Sequence, residues 1–179
     1  YSDYYYGLTL NFVGFNWDSG IKNYDFNYKI NYQINDEFSL KYGISSLYYN
    51  FNPGRIEPNR TDSQINSFQI PNKYAWENAV FIEAEQDINS FLSVNYGLRY
   101  SMFNRLGEEN INLYENNNPV IYNQQTDTYE KAVPIGTKYY GKNKSISKFD
   151  YFEPRVAVSV KLTEDQSVKM SYNRMAQYV

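Results

Sequence analysis

Apolar and polar residues alternate one by one along much of this chain. In "FLSVNYGLRYSMFN" (91–104), Leu92, Val94, Tyr96, Leu98, Tyr100 and Met102 take every second place, with Ser93, Asn95, Gly97, Arg99 and Ser101 between them. A period of two puts one set on each face of a β-strand. The same pattern runs through "YDFNYKINYQI" (24–34), "FSLKYGIS" (38–45), "NAVFIEAEQDI" (78–88), "FEPRVAVSVKL" (152–162) and "SVKMSY" (167–172). Phe81 interrupts the polar phase of its segment, and Arg174 breaks the phase of the last one, which predicts a bulge or a boundary there. The opening "YYYGLTLNFVGFNW" (4–17) reads as one more strand of unclear phase.

About seven strands result, many of them roughly 10–14 residues long, against a usual five or six. A strand that crosses a bilayer at a tilt needs about 9–11 residues. The connections alternate in length. Short polar turns at 34–37, 88–90 and 163–166 are separated by long, Asn-rich stretches at 52–74 and 105–148. Outer-membrane barrels alternate in this way, with short turns on one side and long loops on the other. The fold class expected is therefore all-β: an antiparallel transmembrane β-barrel segment, a wall of about seven long strands. In that reading Val94, Leu98, Val156 and Val158 face lipid. Glu83, Glu85, Asn95, Arg99, Arg155 and Ser159 face an aqueous lumen. The alternative is a soluble β-sandwich, whose strands also alternate.

Composition changes this picture little. Aromatics are 19% of the chain, with 21 Tyr and 11 Phe, and Tyr suits surfaces that are apolar at one end and wet at the other. Mean hydropathy is negative, but averaging cancels an alternating pattern. No apolar run is long enough for a transmembrane helix. The net charge of -3 comes without a basic cluster, so nucleic acid is not an expected partner. Cysteine and histidine are both absent, which removes thiolate metal sites and the commonest general base. No cofactor, metal site or catalytic residue is expected. The chain opens without Met or a signal peptide and reads as an internal fragment of something longer, or as a processed or partly traced protein.

Three stretches resemble barrel hairpins of TonB-dependent receptors of the Bacteroidetes type: "IKNYDFNYKINYQINDEFSLKYGISSLYYNFNPG" (21–54), "WENAVFIEAEQDINSFLSVNYGLRYSMFNRLGE" (76–108) and "YFEPRVAVSVKLTEDQSVKMSYNRMAQYV" (151–179). The resemblance implies a 22-stranded barrel around a plug domain, located in the cell outer membrane and importing a nutrient with energy passed through TonB. Residues 1–179 would be part of that barrel, with 52–74 and 105–148 as extracellular loops. No plug or TonB-binding segment is recognisable in this chain. The partners implied are outer-membrane lipid, the TonB complex through parts absent from this chain, and an unknown nutrient ligand. A surface lipoprotein is left open. The competing functions are a passive porin-like or structural barrel in an envelope complex and a soluble β-rich carbohydrate-binding module. An enzyme ranks last.

Several residues could carry chemistry. Glu83 and Glu85 lie on one strand face about 6–7 Å apart, a spacing at which paired carboxylates can hydrolyse glycosides. A polar wall opposite Arg99, Arg155 and Lys161 is the preferred reading. Asp62, Glu108 and Glu109 could offer oxygen ligands to calcium, but solvated loop charge is preferred. Tyr48, Tyr49 and Phe51 are expected in an interfacial aromatic girdle. Tyr114, Tyr122, Tyr139 and Tyr140, within the longest connection, are candidate ligand-binding aromatics. The segments "PGRIEP" (53–58) and "PIGT" (134–137) read as turn chemistry, and the glycosylation-like "NRT" and "NKS" at Asn59 and Asn143 read as chance.

Overall fold

The computed structural model describes residues 2–10 and 13–178. Seven strands run in a meander: β1 (Ser2–Leu10), β2 (Val13–Asn35), β3 (Phe38–Pro58), β5 (Lys73–Asn89), β6 (Leu92–Leu106), β11 (Ser145–Lys161) and β12 (Ser167–Asn173). Each pairs antiparallel with the next along this path, and β4 (Phe68–Gln69) adds to β3. The sheet is open, because β1 and β12 end the path and do not pair with each other. The remaining strands form two small separate sheets, β7 (Glu109–Leu113) with β10 (Gly136–Tyr140) and β8 (Val120–Asn123) with β9 (Thr128–Lys131). One turn of 3₁₀-helix, Glu115–Asn117, precedes β8.

The strands follow from their alternation and from their Tyr, Phe, Val and Ile content, which packs well on a pleated surface. Cross-strand rows carry this on one face. Tyr96 stands between Ala84 and Val156, and Leu98 between Ile82 and Pro154. Pro154 fits inside β11 because its carbonyl accepts Arg174 N–H at 3.0 Å, on the side where β12 has already ended. Its missing N–H would point to that same edge, so no ladder bond to β6 is lost. Arg174 is the first residue after β12, at the break in phase.

Phe81, the residue out of phase, has a physical reason. Its ring lies across the neighbouring strand at Gly43, 2.9 Å from where a Cβ would stand, and fills the space that the glycine leaves. Trp17 covers Gly54 in the same way.

Four sequence expectations need correction. Residues 4–17 are not one strand but parts of a β1–β2 hairpin, in which Leu10 pairs with Val13; residues 11 and 12 lie outside the described residues. The strands are longer than expected: β2 has 23 residues, β3 has 21, and β5 and β11 have 17 each. The segment 53–58 is not a turn, since β3 continues to Pro58 and pairs with residues 15–18 of β2. The stretch 105–148 is not one unstructured loop, since β6 runs to Leu106, β11 starts at Ser145, and two hairpins fill the interval. Proline and asparagine suggested turns there, yet cross-strand pairing overrode the local preference.

Five of the six connections of the meander sort by length along the sheet, and the short link from Leu10 to Val13 does not. The turns at 36–37 and 90–91 and the link 162–166 share one end, tied by Asp87 N–H to Glu37 C=O at 2.8 Å and Lys161 N–H to Phe91 C=O at 2.8 Å. The segments 59–72 and 107–144 lie at the other end, together with the paired Leu10 and Val13 of the first hairpin.

Candidate functional site

The two faces of the sheet differ in an unusual sense. On the face of Val94 and Leu98, large apolar side chains stand in the open: Val80 and Ile82 are each 53% exposed and Met170 65%. On the opposite face Glu153 is 5% exposed and Ser101 1%. The buried apolar residues among those described are few and mostly small: Ala75, Ala79, Ala84, Phe103, Leu106 and Ala132. Among the described residues the sheet has no large hydrophobic core of its own.

The polar face is built from one phase of β3, β5, β6 and β11. Register puts Lys41 opposite Glu83, Gly97 opposite both Glu83 and Arg155, and Arg99 opposite both Phe81 and Glu153. Two charge clusters result. Glu83 stands 3.7 Å from Lys41 and 4.0 Å from Arg155 and accepts a hydrogen bond from Asn95 at 3.2 Å. Arg99 lies 3.7 Å from Glu77 and 3.8 Å from Glu153, and donates to Ser45 Oγ at 3.3 Å. Tyr49 donates to Glu77 at 3.2 Å. Ser101 donates to Glu153.

The segment after β12 folds over this face. The Tyr178 ring stacks on Phe103 with centroids 5.1 Å apart, and its hydroxyl lies 2.7 Å from Ser101 Oγ. Residues 174–178 and β11 enclose a cleft of about 400 Å³ beside Glu153. A second cleft, about 420 Å³, is bordered by Lys29, Lys41, Glu83, Glu85 and Asn95.

The expected polar-face residues thus share a face, but their partners differ from expectation. Arg155 meets Glu83, as anticipated. Arg99 serves Glu77 and Glu153 instead of Glu83 and Glu85. Glu85 borders the second cleft, and Ser159 stands opposite Ser93 and Lys169. Alternation puts Lys41, Ser101 and Glu153 on the polar faces of their strands without singling them out as site residues, and sequence reasoning missed Glu77 and Tyr178. Glu77 continues the polar phase of β5 and was findable from it. Tyr178 lies beyond the last strand, where no local pattern signals its contact with Phe103.

On the apolar face, Tyr24, Tyr48 and Tyr74 form a row with centroids 6.3 Å apart at each step. Trp76 joins it and donates Nε1–H to Ser46 Oγ at 2.8 Å. Of the residues expected in a girdle, only Tyr48 belongs to this row. Tyr49 reaches Glu77 on the polar face, and Phe51 shares its phase opposite Lys73 and Ile21.

The four candidate loop tyrosines do not assemble into one site. Tyr139 and Tyr140 are on β10, Tyr122 is on β8, and Tyr114 lies between β7 and the 3₁₀ turn. The hydroxyls of Tyr139 and Tyr122 donate to Glu108 and Asp127. Each hydrogen bond to a carboxylate raises the phenol pKa above its ordinary value. Lys138 Nζ sits 4.9 Å from the Tyr140 ring centre. Tyr122 meets Tyr129 at 5.2 Å, not another of the four.

Two of the three candidate loop carboxylates, Asp62 and Glu109, are engaged by basic side chains, while Glu108 accepts from Tyr139. Asp62 accepts two bonds from Arg60, at 2.9 and 2.8 Å. Glu109 accepts from Lys73 and, at 2.6 Å, from Arg105, which ties β7 to the ends of β5 and β6. Burial pushes the Glu109 pKa up, but these bonds and charges outweigh it and hold the carboxyl below its ordinary value.

No protein-family model and no curated protein sequence matches this chain.

Proposed function

We propose that this chain is part of the wall of an outer-membrane β-barrel, and that the barrel is a TonB-dependent receptor that takes up a nutrient. One observation carries the barrel reading: the sheet exposes its large apolar residues, while its opposite face carries the charges and buries Glu153 and Ser101. A soluble sheet loses free energy by such an arrangement, whereas a wall between lipid and a wet lumen gains by it. The dimensions agree. Leu92 to Met102 extends about 34 Å along β6 at the usual rise, and a tilt of about 45° reduces that to about 24 Å, close to the apolar band of such barrels. The further step, from barrel to receptor, is supported by the likeness of residues 21–54, 76–108 and 151–179 to receptor hairpins.

In this reading Val94, Leu98, Val156 and Val158 meet lipid, and the Glu83 and Arg99 clusters line the lumen. The hairpins within 107–144 stand at the extracellular mouth, where they take part in ligand capture. The protein works as a conduit and not as an enzyme.

The native chain has no cysteine, so single cysteines at 92–102 in the full-length barrel, treated with a membrane-impermeant thiol reagent, test the wall. Labelling at 93, 95, 97 and 99 with protection at 94, 96 and 98 is expected. Equal labelling of both sets would overturn the assignment. Removal of 109–140 should then lower nutrient uptake while the barrel still assembles. Unchanged uptake of every ligand tested would leave the wall standing and remove the receptor role of the loop.

A further inference from the structure

The two faces exchange character along β2 and β3. From the short-turn end up to Tyr24, the face of Tyr24 carries Phe26, Tyr28 and Ile30, and the other face carries Asp25, Asn27 and Lys29. Past Tyr24 and Tyr48, toward the long connections, the order reverses. Asp18, Asn50, Asn52, Gln69 and Asn72 follow on the Tyr24 face, around a cleft of about 180 Å³. Arg55 stands there opposite Asp18 and Gln69 and pairs with Glu57. The other face turns aromatic. Trp17 is flanked by Tyr6 and Ile56, and Phe68 stands opposite Ile56. The Trp17 ring lies over Gly54, and the Tyr6 and Phe15 rings meet with centroids 6.4 Å apart. Tyr4, Tyr6 and Phe68 are all exposed. No slip of β2 causes the exchange, since its register with β1 runs unbroken from Ile21 to Phe15. The shift between Asp18 and Gly20 adds a residue to β3 alone and returns Arg55 to the side of Asn52.

We propose that the aromatic face around Trp17 binds an uncharged solute with flat ring faces and hydrogen-bonding edges. The inference rests on the receptor reading and deepens it. A strand face of Asp18, Asn50, Asn52 and Arg55 has left the hydrocarbon, so β1, β2 and β3 would stand about 20 Å clear of the membrane. Their aromatic face would then bound the entrance to the lumen, where no lipid covers it, and exposed apolar area of this kind marks a binding surface. Flat side chains favour flat partners, because ring faces stack on Trp and Phe. The hydroxyls of Tyr4 and Tyr6 serve the edges. Charge is selected against. The charged side chains of β2 and β3 beyond Tyr24 and Tyr48 (Asp18, Lys22, Arg55 and Glu57) all take the opposite face. Lys73, next along the aromatic face beside Phe51, is held by Glu109. A charged solute would leave water here without a counter-charge to meet it. The loop hairpins are the rival occupant, but they are fastened through Glu109 to β5 and β6, away from β1 and β2.

The test uses the full-length receptor in detergent, labelled with 5-fluorotryptophan, with the Trp17 fluorine resonance identified by its loss in Trp17→Phe. Two neutral probes are titrated, cellohexaose and N-acetyltyrosinamide, each beside an acidic counterpart, hexagalacturonate and N-acetyltyrosine. At least one neutral probe should shift the Trp17 resonance saturably and bind about tenfold tighter than its acidic counterpart. The probe that does so names the source as a saccharide or an aromatic solute. Phe68→Ser, at an exposed position, should weaken that binding severalfold, and Gln69→Ala, its neighbour on the opposite face, should leave it unchanged. A Trp17 resonance that responds to neither neutral probe overturns the proposal, as does equal affinity for neutral and acidic probes. A resonance that moves on deletion of 109–140 before any probe is added also overturns it, because the hairpins would then cover the face. Cysteine labelling at 92–102 is read in parallel. Alternating labelling with a silent Trp17 removes this site and leaves the barrel, whereas equal labelling of both sets removes the barrel reading beneath it.

Discussion

The two faces of this sheet are made by the same strands and alternate residue by residue, yet they are organised by different physics. The outward face is an apolar surface laid out in rows, with Tyr96 between Ala84 and Val156 and Val156 next to Tyr172. Its side chains need little from one another, because their environment is expected to supply the contact. The inward face carries a network in which Glu83, Arg99 and Glu153 each depend on named partners. Arg99 serves two carboxylates on two strands, and Glu153 is buried with Ser101 and Arg99 around it. The difference teaches where each face is vulnerable. The outward face tolerates shape changes and should reject charge. The inward face tolerates charge and should reject the loss of a partner.

The largest effect should come from a charge on the outward face. In the proposed wall, Val158→Arg would place a guanidinium against lipid, at about 2–4 kcal/mol near the bilayer midplane. Ser159→Arg, one residue on, should assemble normally. The folded fraction in vesicles, read by heat-modified gel mobility, compares them. Equal yields would erase the distinction between the faces.

Next in size is the loss of a partner inside the network. Arg99→Met leaves Glu77 and buried Glu153 without their shared cation, and should cost roughly 1–3 kcal/mol. Leu98→Met, its neighbour on the outward face, conserves volume and should cost less. Denaturant midpoints of the two variants would settle the order, and a reversed order would mean that the charge network contributes little.

A third prediction extends the comparison to the loop base. The Glu109 carboxyl is held below its ordinary value of 4.5. A depressed carboxylate pKa adds stability above the unfolded value and loses it as pH falls through the folded one. Docking of β7 on β5 and β6 should therefore persist at neutral pH and weaken below about 4.5. Glu109→Gln should show the weakened state at neutral pH already. Rates of proteolysis within 109–140 by an acid-tolerant protease measure both. A native cleavage rate that does not change between about pH 7 and about pH 3 would count against the latch.

The smallest effect concerns the segment over the polar face. Tyr178→Ala removes the ring from Phe103 and a hydroxyl from Ser101, for about 1 kcal/mol. Its clearer readout is access: a cysteine at position 101 should react faster with a water-soluble thiol reagent once Tyr178 is gone. Unchanged reactivity would show that Tyr178 does not shield this part of the face.

Much of the fold was legible because a period of two is a local property. Lys41, Glu83, Arg99 and Glu153 could be placed on one side from spacing alone, and the short turns stood out as brief polar interruptions. The ends of the strands were not legible. "NPGRIEP" carries the residues of a turn, but residues 15–18 of β2 offer backbone partners that keep β3 extended. The hairpins within 107–144 were hidden for the same reason, since pairing of Tyr140 with Glu109 joins residues far apart in sequence.

Alternation by itself therefore determined that the chain forms long two-faced strands, and which side chains share a face. Register was decided only in the tertiary structure, since hydrogen bonding between strands selects which residue stands opposite which. Register makes Arg99 the partner of Glu77 and Glu153, lets Phe81 fill the gap at Gly43, and gathers Asp18, Asn52 and Asn72 around one cleft. A face is a property of one strand, but a site is a property of several, and no single strand encodes where its neighbours will stop.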